Sequence, residues 1–378
     1  MAGASAAVAP PVEKADATAW IAVAAGALGA MLATLDISIV NSALPTIQGE
    51  IGATGTEGTW IATAFLVAEI IIIPLSAWLE RLLGLRTLLI VAVSAFTAFS
   101  VLCGIATDLT TMIIGRTGQG FMGGALIPTA MTIVAKRLPP SQQPIGMALF
   151  GMTVVLGPVM GPLVGGWLTE NLSWHYAFFV NVPVCALLLA LLFIGLPHEK
   201  PDWVYLREAD WAGIVGMILG LGGLTVVLEE GHREEWFEST LIVQLTLMTI
   251  VGFALLTYGQ LYARKPVLKL RLMLSRQFAS VVVMALALGM VMYGSTYVIP
   301  QFLAIISDYN ALQTGFVIFW MGVPAFLLMP VLPFMIRRIH IRIAVGAGMF
   351  IMALSCFVSI NLTAESGGGV FTESQFLR

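Results

Sequence analysis

Residues 20–45 read WIAVAAGALGAMLATLDISIVNSALP, long and apolar enough to cross a bilayer as one helix, which takes about 20 residues. Asp36 sits inside this stretch. An unpaired charge at that depth is costly, so an ionisable residue there marks a functional site by default. The same pattern recurs further along: a span near 57–79 carries Glu69, and one near 111–135 carries Arg116. Composition agrees across the whole chain, with 58% hydrophobic and 10% charged residues and a mean hydropathy of +0.94. Soluble domains carry about 25% charged residues. The chain therefore reads as an all-α integral membrane protein.

Apolar runs place further helices near 87–106, 145–168, 175–196, 211–229, 240–262, 278–303, 312–335 and 342–361, eleven spans in all. Fifteen of the 18 basic residues fall in alternate connections, around 81–86, 136–137, 200–207, 264–276 and 337–342, together with Lys14. The positive-inside rule then puts the N-terminus and those loops in the cytoplasm. Residues 1–18, rich in Ala and Pro, read as a disordered tail. Cys103, Cys185 and Cys356 fall in apolar segments without disulfide or metal spacing and read as small core residues. The acids Glu229, Glu230, Glu234, Glu235 and Glu238 read as a solvated outer loop.

An internal repeat is visible. Pro74, Arg81 and Arg86 recur as Pro330, Arg337 and Arg342, each pair 256 positions apart. Pro45 and Pro300 are read as each closing its helix. Two parallel halves follow, the architecture of major facilitator transporters. On that division residues 19–197 form a six-helix half and 198–274 an inserted helix pair. Residues 275–378 supply the first three helices of the second half, so eleven helices are present of an expected 14.

Four motifs carry a family resemblance. Leu35-Asp36-Ile37-Ser38-Ile39-Val40-Asn41-Ser42-Ala43-Leu44-Pro45 resembles the first-helix signature of the EmrB/QacA-type drug:proton antiporters, the 14-helix branch of the major facilitator superfamily. Ile114-Gly115-Arg116-Thr117-Gly118-Gln119-Gly120 resembles its fourth-helix motif. Gly157 to Gly166, reading GPVMGPLVGG, is similar to its antiporter motif, with Gly157, Gly161, Pro162, Gly165 and Gly166 in place. Trp174 to Pro183, reading WHYAFFVNVP, resembles the segment opening its sixth helix. One family motif is degraded: Arg81 stands where the cytoplasmic gating turn carries Asp. Glu80 on another helix face is the acid left to substitute, with Gly84 and Arg86 completing the turn.

The residues themselves leave alternatives open. Burial favours a protonated carboxyl and a nearby cation an ionised one, so Asp36 can load and release a proton, bind a cationic substrate, or be a hydrogen-bonded structural acid. Glu69 is a coupling or substrate group, or a silent protonated core residue. Arg116, with Gln119 three positions on, pairs with Asp36 or Glu69, and the resemblance makes it a proton-relay position. Gly157, Gly161 and Gly165 share one helix side and permit close packing. Tyr293, Tyr297, Phe319 and Trp320 could stack on a flat cation, or face lipid or core.

No catalytic constellation, phosphate-binding loop or metal-ligand spacing is present in the sequence, and no cofactor or nucleic acid is implied. The resemblance implies a multi-pass inner (plasma) membrane exporter that exchanges protons for hydrophobic or cationic compounds. It also implies a periplasmic adaptor and an outer-membrane channel as partners. The rivals are an exporter of one metabolite, such as a siderophore or amino acid, and a non-transporting membrane receptor or scaffold.

Overall fold

The computed structural model describes residues 14–263, 265–268, 275–306, 309, 311–329, 331–358, 371 and 375. All regular structure among them is helical. The first helix, α1 (Ala17–Glu50), begins where Asp16 Oδ1 accepts the Ala19 N–H at 2.9 Å. Hydrogen bonds from Thr18 and Ala19 hold the Asp16 carboxyl below its ordinary value of 3.8. Ala17 and Thr18, expected in the tail, are thus already helical. After a short turn of helix, α2 (Gly55–Gly58), come α3 (Trp60–Leu83), α4 (Leu85–Gly104), α5 (Leu109–Gly123), α6 (Leu126–Arg137) and α7 (Gln143–Asn171). Then follow α8 (Tyr176–Phe179), α9 (Asn181–Gly195), α10 (Val204–Arg207), α11 (Trp211–Glu230) and α12 (Thr240–Tyr262). The chain continues as α13 (Arg276–Ile306), α14 (Ala311–Leu328), α15 (Leu332–Arg338) and α16 (Ile341–Val358). Among the described residues, eight helices are long and apolar enough to cross a membrane.

Proline behaves differently from expectation. Pro45, Pro74 and Pro300 lie inside α1, α3 and α13 and do not end them. A transmembrane helix tolerates a lost N–H where neighbouring helices and hydroxyls satisfy the freed carbonyl. Breaks fall elsewhere. The span expected at 111–135 divides at Gly124–Ala125 into α5 and α6, four residues before Pro128. The span expected at 175–196 divides at Val180, three residues before Pro183. A proline ring crowds the carbonyl four residues back, which accounts for both interruptions.

Helix α1 packs on α7, α6 and α9, while α3 packs on α5 and α4 on α5 and α9. The opposite side of α7 meets α14. The α11–α12 hairpin lies against α3, sharing an apolar cluster of Ile71, Ile72, Leu75, Ile214, Met217 and Leu256. Trp78 meets Trp211 edge-on at 6.4 Å. Glu230 is not part of a solvated loop. It ends α11 and is only 2% exposed, accepting from Thr63 Oγ1 at 2.6 Å and from Arg233 Nη1 at 2.9 Å. Cys103 and Cys185 are core residues as expected, whereas Cys356 is exposed on α16.

Candidate functional site

The acids read from the sequence occupy unequal environments. Asp36, fully buried in α1, lies opposite Arg116 of α5, which is 1% exposed. Arg116 Nη1 donates to Asp36 Oδ2 at 2.6 Å. Asp36 Oδ1 accepts from Asn181 Nδ2 of α9 at 2.6 Å and from Gln119 Nε2 of α5 at 3.2 Å. The three donors come from two helices, α5 and α9, so the carboxylate gathers α1, α5 and α9 onto one point. The Arg116–Asp36 alternative is therefore the one realised.

A further layer of hydroxyl and amide groups fixes these donors. Ser100 of α4 accepts from Gln119 Nε2 at 3.0 Å and Asn181 Nδ2 at 2.8 Å, and donates to the Phe178 carbonyl at 3.0 Å. A serine hydroxyl has one donor and two acceptor sites, so Ser100 is saturated. Gln119 Oε1 accepts from Arg116 Nη1 at 3.1 Å and from the Cys103 thiol at 3.4 Å. Every named polar atom has a partner, the condition under which a buried network is rigid and not a liability.

Arg116 also reaches α3. Its Nε donates to the Ile61 carbonyl at 3.3 Å, and its guanidinium lies 4.2 Å from the centre of the Phe65 ring. Ile61, Phe65 and Glu69 are spaced four apart and share a face of α3. Glu69 therefore stands one turn, about 6 Å, beyond the arginine-stacked Phe65. Its residue is 7% exposed, and no described residue forms a hydrogen bond or ion pair with its carboxyl. Close approach of α5 fixes this stretch: a methyl on Gly120 would come 2.2 Å from the Phe65 carbonyl oxygen, and one on Gly124 2.9 Å from that of Glu69.

The glycines at 157, 161 and 165 form a seam between α7 and α1. Methyl groups on them would come 2.0 Å from Thr34 Oγ1, 2.2 Å from Ser38 Cβ and 2.1 Å from Ser42 Oγ. Pro162 has no N–H for the Pro158 carbonyl four residues earlier, and Ser38 Oγ donates to that carbonyl at 3.2 Å. The seam brackets Asp36 in sequence, so the α1–α7 spacing and the acid's position are linked. Gly166 is buried beside it.

The last turn of α3 is tied to α6. Glu80 Oε1 accepts from Lys136 Nζ of α6 at 2.6 Å. Arg81 is exposed, Gly84 adopts φ +79°, and Arg86 lies 5.3 Å from the centre of the Phe193 ring. Phe319 and Trp320 are 37% and 42% exposed on α14. The side chains of Tyr293 and Tyr297 lie outside the described residues. Sequence reasoning missed Ser100, one of two serines in an apolar helix, and assigned no role to Asn181, although the motif containing it was recognised. Among the described residues, no cluster of His, Cys, Asp and Glu could hold a metal ion.

The profile of the Major Facilitator Superfamily matches residues 26–374. The colistin resistance protein EmrB of Acinetobacter baumannii is 33% identical over 92% of this chain and 68% of its own length. The multidrug export protein EmrB of Escherichia coli K12 is 31% identical over 90% of this chain and 66% of its own. The chain thus spans about two thirds of the length of these relatives. Among solved structures, the proton:xylose symporter XylE aligns with a TM-score of 0.63 at 15% identity, over 95% of this chain and 78% of that one. The human organic anion transporter MFSD10 aligns with 0.63 at 17% identity, over 97% and 82%. At such identities these likenesses establish the fold alone.

Proposed function

The chain belongs to the Major Facilitator Superfamily as an EmrB-like, multi-pass protein of the inner (plasma) membrane, and on that footing we propose that it is a proton-coupled exporter of hydrophobic, cationic compounds. Eleven spans with a cytoplasmic N-terminus, two parallel halves around an inserted helix pair, and rocking of those halves about a central site belong to this reading. So do a periplasmic adaptor and an outer-membrane channel as partners. The relatives named for multidrug export and colistin resistance support drugs as the substrate class.

One observation carries the mechanism: Asp36 is neutralised by Arg116, while Glu69, one turn away on the face Arg116 touches, has no hydrogen-bonding partner among the described residues. With no fixed hydrogen-bonding partner, this carboxyl can carry a proton while the site is closed. Opened to water on one side, the same carboxyl releases its proton and can hold an organic cation by charge. Proton and substrate then exclude each other at Glu69, which is sufficient for exchange. Asp36, Gln119 and Asn181 keep Arg116 oriented beside it, and the α1–α7 glycine seam keeps the helices in register.

The test follows lumenal pH in respiring everted vesicles on addition of lipophilic cationic dyes. Wild type is expected to release lumenal protons, and Glu69→Gln, at equal expression, to lose that release. Undiminished release by Glu69→Gln overturns the assignment of this residue. Failure of a broad dye panel to release protons from wild type overturns the proton-coupled reading.

A further inference from the structure

Beyond the acid cluster, a second polar concentration lies at the end of the bundle that the charge distribution assigns to the cytoplasm. A cavity of about 320 Å³ is bounded there by the start of α4, the end of α6 and the segment after α9. Arg86, Lys136 and Arg137 line it against a single carboxylate, Glu199. We propose that this cavity binds the phosphate of an anionic phospholipid.

The partners already present leave both guanidinium groups without a direct carboxylate contact. Glu199 Oε2 accepts the Leu85 N–H at 2.7 Å and so caps α4. Lys136 is paired with Glu80. Arg137 donates only to neutral oxygens, Thr18 Oγ1 and the Gly195 carbonyl, both at 3.2 Å, and its Nε is buried without a partner. Arg86 rests on the Phe193 ring and forms no ion pair with any described residue. Asp16 reaches Arg137 only through the Thr18 hydroxyl, so two guanidinium groups share one cavity and neither is hydrogen-bonded to a carboxylate. A phosphate supplies the oxygens that a guanidinium fork matches in pairs.

The surroundings favour a lipid over a free anion. Phe193 and Ile194, in the last turn of α9 beside the cavity, are 53% and 61% exposed. Leu85 and Leu196 supply its apolar wall. Acyl chains lying on this strip place their headgroup at the arginines, the arrangement by which basic pockets between helices at the membrane surface retain anionic lipids.

The protein in phosphatidylcholine nanodiscs, with phosphatidylglycerol added at rising fraction, supplies the test through its Tm. A saturable rise in Tm is expected. Arg86→Gln and Arg137→Gln should each raise the half-saturating fraction about tenfold, the loss of one charge-assisted contact, while Arg207→Gln, an exposed cation elsewhere, should not. Should Arg137→Gln fail to fold, Arg86→Gln carries the comparison, since that side chain is only half-buried and rests on the Phe193 ring. Equal gains in wild type and Arg86→Gln, or no gain at all, overturn the proposal. Inorganic phosphate reproducing the full rise in phosphatidylcholine alone reassigns the cavity to a free anion and overturns the lipid.

Discussion

Replacing Asp36 by Asn and Arg116 by Gln, singly and together, tests whether the two form one buried unit. In Asp36→Asn the side-chain shape is kept, but one of two oxygens becomes an NH2 group. Asp36 accepts from Arg116 on one oxygen and from Asn181 and Gln119 on the other. Either amide orientation therefore sets at least one donor against a donor, at a position where the partner now stands 2.6 Å away. Arg116, 1% exposed, is also left as an uncompensated charge. Breaking a buried pair from one side costs about 3–5 kcal/mol, and Arg116→Gln should cost a similar amount by stranding the carboxylate. The double variant removes both charges and should fall short of the summed single losses by about 2–3 kcal/mol. Reversible denaturation of the detergent-solubilised protein, followed by helical circular dichroism, measures all four species. Additivity within about 0.5 kcal/mol would refute the coupled unit and leave Asp36 an isolated acid.

Gly161→Ala sets a methyl group 2.2 Å from Ser38 Cβ, so α1 and α7 must separate. Overpacking of this kind costs about 1–3 kcal/mol, and a disulfide-trapping rate between α1 and α7 should fall with it; an unchanged rate and Tm would mean the seam is loose. Ser100→Ala removes the acceptor shared by Gln119 and Asn181. It should destabilise by about 1–3 kcal/mol, the desolvation penalty of donors left unmatched, and a neutral effect in the same denaturation assay would show those amides to be satisfied elsewhere.

Membrane protein sequences disclose spans readily, because a bilayer demands long apolar runs whatever the tertiary contacts. The three ionisable residues within the first spans were visible for the same reason. Their pairing was not: whether Arg116 meets Asp36 or Glu69 depends on how α3 and α1 rotate about α5, which periodicity within one helix does not encode. The α7 glycine spacing announced a packing face, but the Thr34, Ser38 and Ser42 hydroxyls opposite it emerge only from the fold. Proline misled in both directions, passing unbroken through α1 and α3 while Pro128 and Pro183 follow real interruptions. Glu230 was misread because its neighbours are acidic and exposed, whereas its own partner, Thr63, lies 167 positions away.

That last contact has a practical consequence for anyone measuring motion in this protein. Thr63 and Glu230 pin the connecting end of the α11–α12 hairpin to α3, and the Trp78–Trp211 contact holds the other end. The hairpin and α3 therefore form one reference frame. A spin label or fluorophore attached in the 231–239 connection should keep a constant distance to a second label on α3 through the transport cycle. Paired with a third label on α14, it provides a built-in ruler against which displacement of that helix can be read, without placing any probe near Asp36 or Glu69.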